Sequence, residues 1–468
     1  MSDIDPYATI ADLFRAYRAR ELSAADVVEA HLAREDRLEP KLRAYVTRYS
    51  EEAREKARSV AQSFDAVGDL PVLAGIPIAL KDLVDMEGRI TSGGSPERAA
   101  RVSPGTAVIA QRLISAGAIV SGKTHTVEMA TGGWGTNEHL GAPWNPWDLE
   151  VHRTPGGSSS GSGVAVAAGY CPGAIGTDTG GSVRLPAGWC GLVGLKVTEG
   201  ALPTDGILPL SFTLDTPGPM TRSVDDALLM FEVLRGSDPM TVGKRLTEGT
   251  GPFFAVREPI KDMRFAVLPD EDRADVDGEM LAAYDKSVDD LADLGAEIVV
   301  KGVPKPWDGF STEAVQMIIA YEGYRANKEI IDDDGARMDQ WVKRRLVPGR
   351  SEYTETAYRP TLDRRKADLA AFAEDFREVD AILTPTTLTP AIPLTEVDEC
   401  GSPARFTRAA NYLALCSLAI PNGFTKGGLP TSLMITCHGG QEITALRIGK
   451  AYEASHDWAG RHPQGLDG

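Results

Sequence analysis

Apolar residues recur every three or four positions near the start of the chain, which is the spacing of an amphipathic helix. Ser23 followed by Asp26 has the pattern of a helix capping box and predicts a helix through about Arg34. A third helix is predicted over 50–66. The first part of the chain, 1–70, is therefore predicted to consist of helices.

Beyond this part, the pattern changes to short apolar runs that alternate with helical segments. The run 72–80 ends at Lys81 and predicts a buried strand. Residues 107–116 fit a helix, and 118–123 fit a second strand. This alternation is typical of an α/β protein with a central sheet.

The rest of the chain continues without a linker of low complexity. One long segment is more polar and helical, and strand-like runs return after it, at 381–384 and 429–435. Strands at both ends predict one large domain whose sheet is completed by the C-terminal part. Its predicted parts are N-terminal helices at 1–70, a catalytic region at 71–235, a variable helical region around the substrate pocket at 236–375 and a C-terminal part at 376–468.

Composition and charge indicate a protein with a substantial core and argue against binding to nucleic acids or membranes. The chain has 468 residues, 42% of them hydrophobic, which suffices for a substantial core. Its 49 basic and 67 acidic residues give a net charge of −18, which repels phosphate backbones and anionic membranes. No apolar stretch of membrane-spanning length occurs, and the residues after Met1 lack the basic and apolar regions of an export signal, so we expect neither membrane spanning nor export. We expect a cytoplasmic protein that binds neither nucleic acid nor membrane.

The cysteines agree with that location. There are five, an odd number, without CxxC spacing and mostly in apolar surroundings. We interpret them as buried free thiols in a reducing compartment.

Two clusters of glycine and serine, at 156–161 and 176–182, lie among apolar segments and are therefore not flexible linkers. Glycine lets backbone N–H groups approach a ligand, so serines held among buried glycines indicate hydroxyls used in chemistry. A phosphate-binding loop would need lysine followed by serine or threonine after its last glycine. Neither cluster has this pair, which disfavours that interpretation.

The first cluster also matches the G-x-S-x-G pattern of a hydrolase nucleophile elbow, with Ser159 at its centre. That fold needs a strand leading into the elbow, whereas 151–155 is polar and ends in proline. It also needs a histidine base later in the chain, and the candidates are His438, His456 and His462. Their surroundings are typical of turns and exposed tails, so a histidine-based α/β-hydrolase is the less favoured alternative.

A serine nucleophile can instead be activated by a lysine whose burial lowers its pKa from about 10 towards neutrality. Lys81 ends an apolar run, where desolvation disfavours the ammonium form. Asp82 and Asp85 would oppose this effect if they share its environment. The competing interpretation is a lysine that extends from a strand end into solvent.

Several motifs in order resemble those of the amidase signature family, and they favour the catalytic interpretation of Lys81. They are 75–82 (GIPIALKD), 145–147 (NPW), 154–162 (TPGGSSSGS) and 176–184 (GTDTGGSVR). The resemblance spans nearly the whole chain, densely before about residue 225 and thinly in the helical region. It implies an α/β amidase signature fold, with a large mixed β-sheet core surrounded by helices.

The resemblance also implies a role for individual residues. It makes Ser182 the nucleophile, Ser158 the relay serine and Lys81 the base, with a cis peptide bond before the relay serine. The implied oxyanion hole consists of the backbone N–H groups of Thr179, Gly180, Gly181 and Ser182. The resemblance implies neither a metal nor an organic cofactor.

The substrate pocket is less defined by the sequence. The resemblance places Met129 and Thr131 beside the substrate, although Met129 fits a core position equally well. An aromatic group at helical spacing either walls the acyl pocket or belongs to the core. Its members are Trp307, Phe310, Met317, Ile318, Tyr321 and Tyr324.

From the family we expect a stand-alone amidase that hydrolyses a small aryl or aliphatic carboxylic amide to an acid plus ammonia or an amine. The alternative is the amidase subunit of a glutamine-dependent tRNA amidotransferase, which takes ammonia from glutamine inside a multi-subunit complex. The acidic balance of the chain favours the stand-alone enzyme. Its expected partner is a small-molecule amide, and a homodimer is an expectation carried over from the family.

Overall fold

The sheet at the centre of the molecule confirms the predicted α/β class. The computed structural model describes residues 4–64, 70–302, 312–458 and 460–467. In this part of the chain, eleven strands form one mixed sheet in the order β1-β3-β2-β4-β6-β5-β10-β11-β9-β7-β8. The strands are β1 Tyr45–Arg48, β2 Pro77–Lys81, β3 Ile119–Thr124, β4 Gly173–Asp178, β5 Val193–Lys196, β6 Thr216–Thr221, β7 Arg264–Val267, β8 Glu297–Val300, β9 Ala381–Pro385, β10 Cys416–Phe424 and β11 Pro430–Cys437.

Helices surround this sheet, as predicted. The described α-helices are α1 Ile10–Arg18, α2 Ala24–Leu42, α3 Ser50–Phe64, α4 Val108–Ser115, α5 Ser160–Ala167, α6 Arg184–Cys190, α7 Val224–Leu234, α8 Pro239–Glu248, α9 Pro252–Ala255, α10 Gly278–Asp293, α11 Thr312–Ala326, α12 Lys328–Ile331, α13 Gln340–Leu346, α14 Pro348–Ser351, α15 Glu355–Asp375, α16 Arg408–Tyr412 and α17 Glu442–Ala454. Short 3₁₀ helices lie at Pro96–Arg98, Glu128–Ala130, Asp270–Arg273 and Leu394–Glu396. No described helix combines the length and apolar character needed to cross a membrane.

The predicted capping box begins α2. The Ser23 side chain accepts a hydrogen bond from the backbone N–H of Asp26, which satisfies one of the free donors at the helix start. The helix continues beyond the predicted end at Arg34 and closes at Arg43, which takes a left-handed conformation with φ +53°. The capping box therefore located the start of the helix, whereas its predicted end was too early.

The strand predicted over 72–80 is shorter at its start. Residues 72–75 form turns, and Gly75 takes φ +76°, which breaks the extended backbone before β2 begins at Pro77. The buried apolar residues of 72–76 reach the core from these turns, so an apolar run alone could not distinguish them from a strand.

The region 236–375, predicted as helical, also contributes two strands to one edge of the sheet. β7 and β8 are parallel and are connected through α10, as in a βαβ unit. Both strands have only four residues, and β8 is half-buried or exposed along its length. Such short strands carry a weak periodic signal, which is why the sequence pattern missed them.

The strand order brings the predicted site residues to one edge of the sheet. β2 pairs in parallel with both β3 and β4, so the carboxyl ends of these strands lie side by side. Lys81 is the last residue of β2, and the second glycine-serine cluster begins within β4 and continues beyond its end at Asp178. Ligand sites of sheets with parallel strands commonly lie at this edge.

The cysteines differ from the prediction in one case. All five are free thiols, and four of them are buried. Cys400 is exposed, because it lies on a loop between β9 and α16 rather than in the apolar interior.

Candidate active site

Lys81 lies in the protein interior with two hydroxyl groups around its amine. Its Nζ is 2.7 Å from Oγ of Ser158 and 2.8 Å from Oγ1 of Thr177. The side chain is fully buried. This burial lowers the pKa of Lys81 to about 7, against the raising effect of the Asp215 and Asp178 carboxylates. A substantial neutral fraction of the amine is therefore present near neutral pH.

The two carboxylates nearest in sequence do not share this environment. Asp82 pairs with Lys123 at 3.0 Å, and Asp85 pairs with Arg101 at 2.6 Å. The residues that raise the pKa of Lys81 are instead Asp215 and Asp178, which come from distant parts of the chain. Sequence proximity to Lys81 was therefore a poor guide to its electrostatic surroundings.

Ser158 is held in the buried turn before α5. The Gly157–Ser158 peptide bond is cis, as the family resemblance implies. The backbone of this turn is fixed by hydrogen bonds from the N–H of Gly157 to the carbonyl of Gly133 and from the N–H of Val127 to the carbonyl of Ser158. The hydroxyl of Ser158 consequently lies beside the amine of Lys81.

The loop that carries Ser182 is organised by a buried carboxylate. Asp178 accepts hydrogen bonds from the N–H groups of Gly181 at 2.7 Å and Val183 at 3.1 Å. Its two oxygens also accept from the guanidinium of Arg184, at 3.0 and 2.9 Å. Burial acts to raise the pKa of Asp178, but Arg184 and these donors hold it well below its usual value. Asp178 is therefore an anion that fixes the shape of the loop.

The two glycine-serine clusters meet at this loop. The backbone N–H of Ser159 donates to the carbonyl of Ser182 at 3.3 Å. The Ser159 hydroxyl bonds to the backbone of Thr177, accepting from its N–H at 3.2 Å and donating to its carbonyl at 3.3 Å. Ser182 is 8% exposed and borders a cavity, whereas Ser158 and Ser159 are fully buried. Ser182 is thus the serine of the three that a substrate can reach.

The predicted oxyanion hole differs from the structure at Gly181. Its N–H is already bonded to Asp178, and Gly181 does not line the cavity, while Thr179, Gly180 and Ser182 do. Gly181 takes φ +137°, and a β-carbon there would approach Oγ1 of Thr407 to 2.3 Å. Because the Gly181 N–H donates to Asp178, Thr179, Gly180 and Ser182 remain as the candidate donors.

The cavity has a volume of about 330 Å³ and lies over Ser182. Thr131, predicted to border the substrate, lines it, whereas Met129 is buried in a neighbouring apolar cluster with Leu83 and Leu346. This placement favours the core interpretation of Met129. The lining also includes Leu185, Leu210, Val315, Ile319, Trp341, Arg344, Arg345, Tyr353, Glu399 and Arg408.

Two members of the predicted aromatic group, Trp307 and Phe310, lie outside the described residues. Of the others, Ile318 and Tyr321 are buried, and the Tyr321 ring stacks on Tyr358 at a centroid distance of 4.0 Å. The cavity is lined by different residues of α11, namely Val315, Gln316 and Ile319.

The histidines proposed for an α/β-hydrolase lie elsewhere. His438 contacts the carbonyl of Phe376, His456 contacts Asp290, and the ring of His462 stacks on Tyr7. None of them is among the described residues that line the cavity. The segment before the first cluster is also irregular rather than a strand, so the nucleophile elbow is absent from this described region.

Sequence reasoning missed several residues of this site. Thr177 lies inside the second cluster, but its contact with Lys81 follows from the pairing of β2 with β4. Asp215 and Arg408 come from segments without a strong motif. Only the tertiary arrangement shows that these residues belong to the site.

A family model described as Amidase matches residues 26–446. The chain belongs to the amidase family. The predicted resemblance is therefore confirmed, and the chain is a hydrolase of the amidase signature type, acting on carbon–nitrogen bonds.

Relatives of known name are similar over almost the full length. A glutamyl-tRNA(Gln) amidotransferase subunit of Koribacter versatilis is 32% identical over 469 residues, covering 94% of this chain and 96% of the relative. The protein of the same name from Geobacter metallireducens is 33% identical over 479 residues, with coverage of 96% and 97%.

Solved amidase structures share the fold. The native peptide amidase from Stenotrophomonas maltophilia has a TM-score of 0.82 at 27% identity and covers 98% of this chain and 99% of its own. A crystal structure of an amidase has a TM-score of 0.85 at 29% identity, with coverage of 96% and 100%. These neighbours confirm the amidase signature fold.

Proposed function

We propose that this chain hydrolyses a carboxylic amide through an acyl-enzyme formed on Ser182. The observation that carries the proposal is the amine of Lys81, buried at the end of β2 and 2.7 Å from the Ser158 hydroxyl. A buried amine with a pKa near neutrality acts as a general base without histidine. Ser182 supplies the hydroxyl that faces the cavity.

In the first half of the proposed reaction, neutral Lys81 takes the hydroxyl proton of Ser158 while Ser158 takes that of Ser182. The Ser182 oxygen then attacks the amide carbon, and the carbonyl oxygen becomes an oxyanion. The N–H groups of Thr179, Gly180 and Ser182 stabilise that charge. As the carbon–nitrogen bond breaks, the ammonium of Lys81 returns its proton through Ser158 to the leaving nitrogen.

In the second half, water takes the place of the leaving amine. It attacks the ester carbon of the acyl-enzyme and gives a proton to the same relay. The bond to Ser182 breaks, the acid leaves, and Ser182 regains its proton. The relay thus ends in its starting state.

The sequence left two interpretations open: a stand-alone amidase and, as the alternative, the amidase subunit of a tRNA amidotransferase. The relatives favour the amidotransferase subunit. Both relatives, from Koribacter versatilis and Geobacter metallireducens, are named as a subunit of glutamyl-tRNA(Gln) amidotransferase and align along almost the whole chain. We therefore infer that glutamine is the first amide to test, in the presence of partner subunits. Hydrolysis of a small amide by the chain alone is the second candidate, supported by the likeness to a peptide amidase.

Ammonia or amine release separates these two interpretations. The purified chain is assayed with glutamine and a panel of aliphatic, aryl and peptide amides, with and without the partner subunits of an amidotransferase. Glutamine hydrolysis only with partners supports the role in a complex, and turnover by the chain alone supports the stand-alone enzyme. Absence of turnover in every arm contradicts the amidase proposal.

Labelling by a neutral fluorophosphonate tests the nucleophile independently of the substrate. Ser182→Ala is expected to lose the label and all turnover, while Ser159→Ala is the matched control from the adjoining cluster. Loss of the label in Ser159→Ala, with retention in Ser182→Ala, would make Ser159 the nucleophile and contradict the proposal.

A further inference from the structure

Arg408 lies at the wall of the cavity beside the proposed nucleophile. It begins α16 and lines the same cavity as Ser182. Its aliphatic stem lies over Gly180, since a β-carbon added at Gly180 would stand 3.6 Å from Cγ of Arg408. The residue is therefore adjacent to the loop on which the acyl-enzyme would form.

The backbone on both sides of Arg408 is fixed to that loop. Oγ1 of Thr407 donates to the carbonyl of Gly180 at 2.6 Å, and Nδ2 of Asn411 donates to the Asp178 carboxylate at 3.0 Å. The guanidinium of Arg184 also donates to the carbonyl of Thr407 at 2.8 Å. A side chain mounted between such anchors is well positioned for selective binding, because little freedom is lost when a ligand binds.

Arg408 lacks an acidic partner among the described residues. Its guanidinium donates to the neutral hydroxyl of Ser402 at 2.8 Å. Two other arginines of this part of the molecule are paired, Arg184 with Asp178 and Arg345 with Glu399, each at 2.9 Å. Arg408 is half-buried at the cavity wall, so a negatively charged ligand in the cavity would supply the counter-charge that its guanidinium lacks.

Arg408 stays cationic at neutral pH. Burial, together with the nearby Arg345, lowers its pKa to about 10, which still leaves the guanidinium protonated near pH 7. The described lining of the cavity contains Arg344, Arg345 and Arg408 but one acid, Glu399. The cavity is thus positive in a chain whose net charge is −18.

We propose that Arg408 binds a carboxylate carried by the amide substrate and thereby selects anionic amides over neutral ones. The guanidinium has donors in a planar fork that matches the two oxygens of a carboxylate. The inference rests on the proposed function of Ser182 and names the substrate class of that site. It applies to the chain alone and to the chain with partner subunits.

Succinamate and butyramide test this selection, because they present the same amide with and without a carboxylate. The wild-type protein is expected to show a higher kcat/KM for succinamate, by at least about tenfold. Arg408→Met is expected to lower the ratio of the two kcat/KM values by about 10- to 100-fold, mainly through KM of succinamate. Arg408→Lys, which keeps the charge but not the fork, is expected to be intermediate.

Arg405→Met is the matched control. Arg405 precedes Arg408 on the same segment, but it pairs with Asp275 and does not line the cavity. Its replacement is expected to leave the preference for succinamate unchanged. An equal loss of preference in both variants would show a general effect of the segment and overturn the assignment of Arg408.

A binding readout separates this inference from the proposed function. Succinamate is expected to slow fluorophosphonate labelling of Ser182 in the wild-type protein more than butyramide does, and Arg408→Met is expected to abolish that difference. If Ser182 is labelled and both amides slow the labelling equally, the inference about Arg408 is overturned, whereas Ser182 remains the nucleophile. Absence of labelling at Ser182 defeats the proposed function itself. An unchanged kcat/KM ratio in Arg408→Met likewise overturns the inference.

Discussion

Two lysines on neighbouring strands are equally buried but have opposite surroundings. Lys81 ends β2, and Lys123 lies near the end of the adjacent parallel strand β3. Both side chains are fully buried. Lys123 is 3.0 Å from the carboxylate of Asp82, whereas the hydrogen-bond partners of Lys81 are the hydroxyls of Ser158 and Thr177.

This difference shows that burial alone does not make a lysine a base. Burial lowers the pKa of both residues, but Lys123 has an ion-pair partner that stabilises its ammonium form. Around Lys81 the carboxylates act from further away, so its neutral form is accessible near pH 7. We infer that Lys123 has a structural role and Lys81 a catalytic one.

The largest expected effect is the loss of activity when the amine of Lys81 is removed. Lys81→Ala is expected to lower amide turnover by about 10²- to 10⁴-fold, because a general base contributes that much to proton transfer. Steady-state kinetics on the best amide of the panel give the value. Turnover within about tenfold of the wild type in Lys81→Ala would contradict the catalytic role of Lys81.

The free energy of unfolding should depend more on Lys123 than on Lys81. Lys123→Met leaves the buried carboxylate of Asp82 without its cation and is expected to cost about 3–5 kcal/mol in the free energy of unfolding. Lys81→Met removes an amine that has no ion-pair partner among the described residues, and it should cost far less. Urea unfolding monitored by fluorescence measures both. Equal losses in the two variants would show that their environments do not differ as described.

The pH dependence of stability gives a further contrast. The pKa of Lys81 in the folded protein, about 7, lies below its ordinary value of 10.5, so the unfolded chain binds the proton more tightly. The resulting penalty is fully present below pH 7 and disappears as the pH rises towards 10.5. Relative to Lys81→Met, the wild type should gain at most about 1.4 kcal/mol per pH unit between these values. Unfolding at pH 7 and pH 9 tests this, and a constant difference would contradict it.

The smallest expected effect concerns the second hydroxyl beside Lys81. Thr177→Val removes one hydrogen bond to the amine and is expected to lower turnover about fivefold, since such a bond contributes about 1 kcal/mol. The ammonium form loses an acceptor, so the pH–rate profile should move to lower pH. Thr177→Ser keeps a hydroxyl and should restore the profile. A shift to higher pH in Thr177→Val would contradict this role.

The sequence motifs located part of this site because they follow strand ends. Lys81 and the second cluster each end a run that forms a strand, and parallel pairing of β2 with β4 brings these ends together. The orientation of the Gly181 N–H could not be predicted from these motifs. Whether the N–H of Gly181 faces the cavity or Asp178 depends on its φ angle, which the surrounding loop determines.

Arg408 and Asp215 were also beyond sequence reasoning, for a different reason. They join the site through contacts between distant segments, such as those of Thr407 with Gly180 and of Asp215 with Thr179. The acidic net charge was similarly uninformative about partner proteins. It averages the whole surface, whereas binding of a partner or a substrate depends on a local patch.

The pH dependence of Ser182 labelling tests the central claim, that neutral Lys81 activates the nucleophile, most directly. The rate of phosphonylation by a neutral fluorophosphonate is measured between about pH 5 and pH 9 for the wild type and for Lys81→Ala. If neutral Lys81 is the base, the rate rises with an apparent pKa of about 7 in the wild type, and the profile of the variant is slow and flat. A wild-type rate independent of pH, or the same rise in Lys81→Ala, would contradict it.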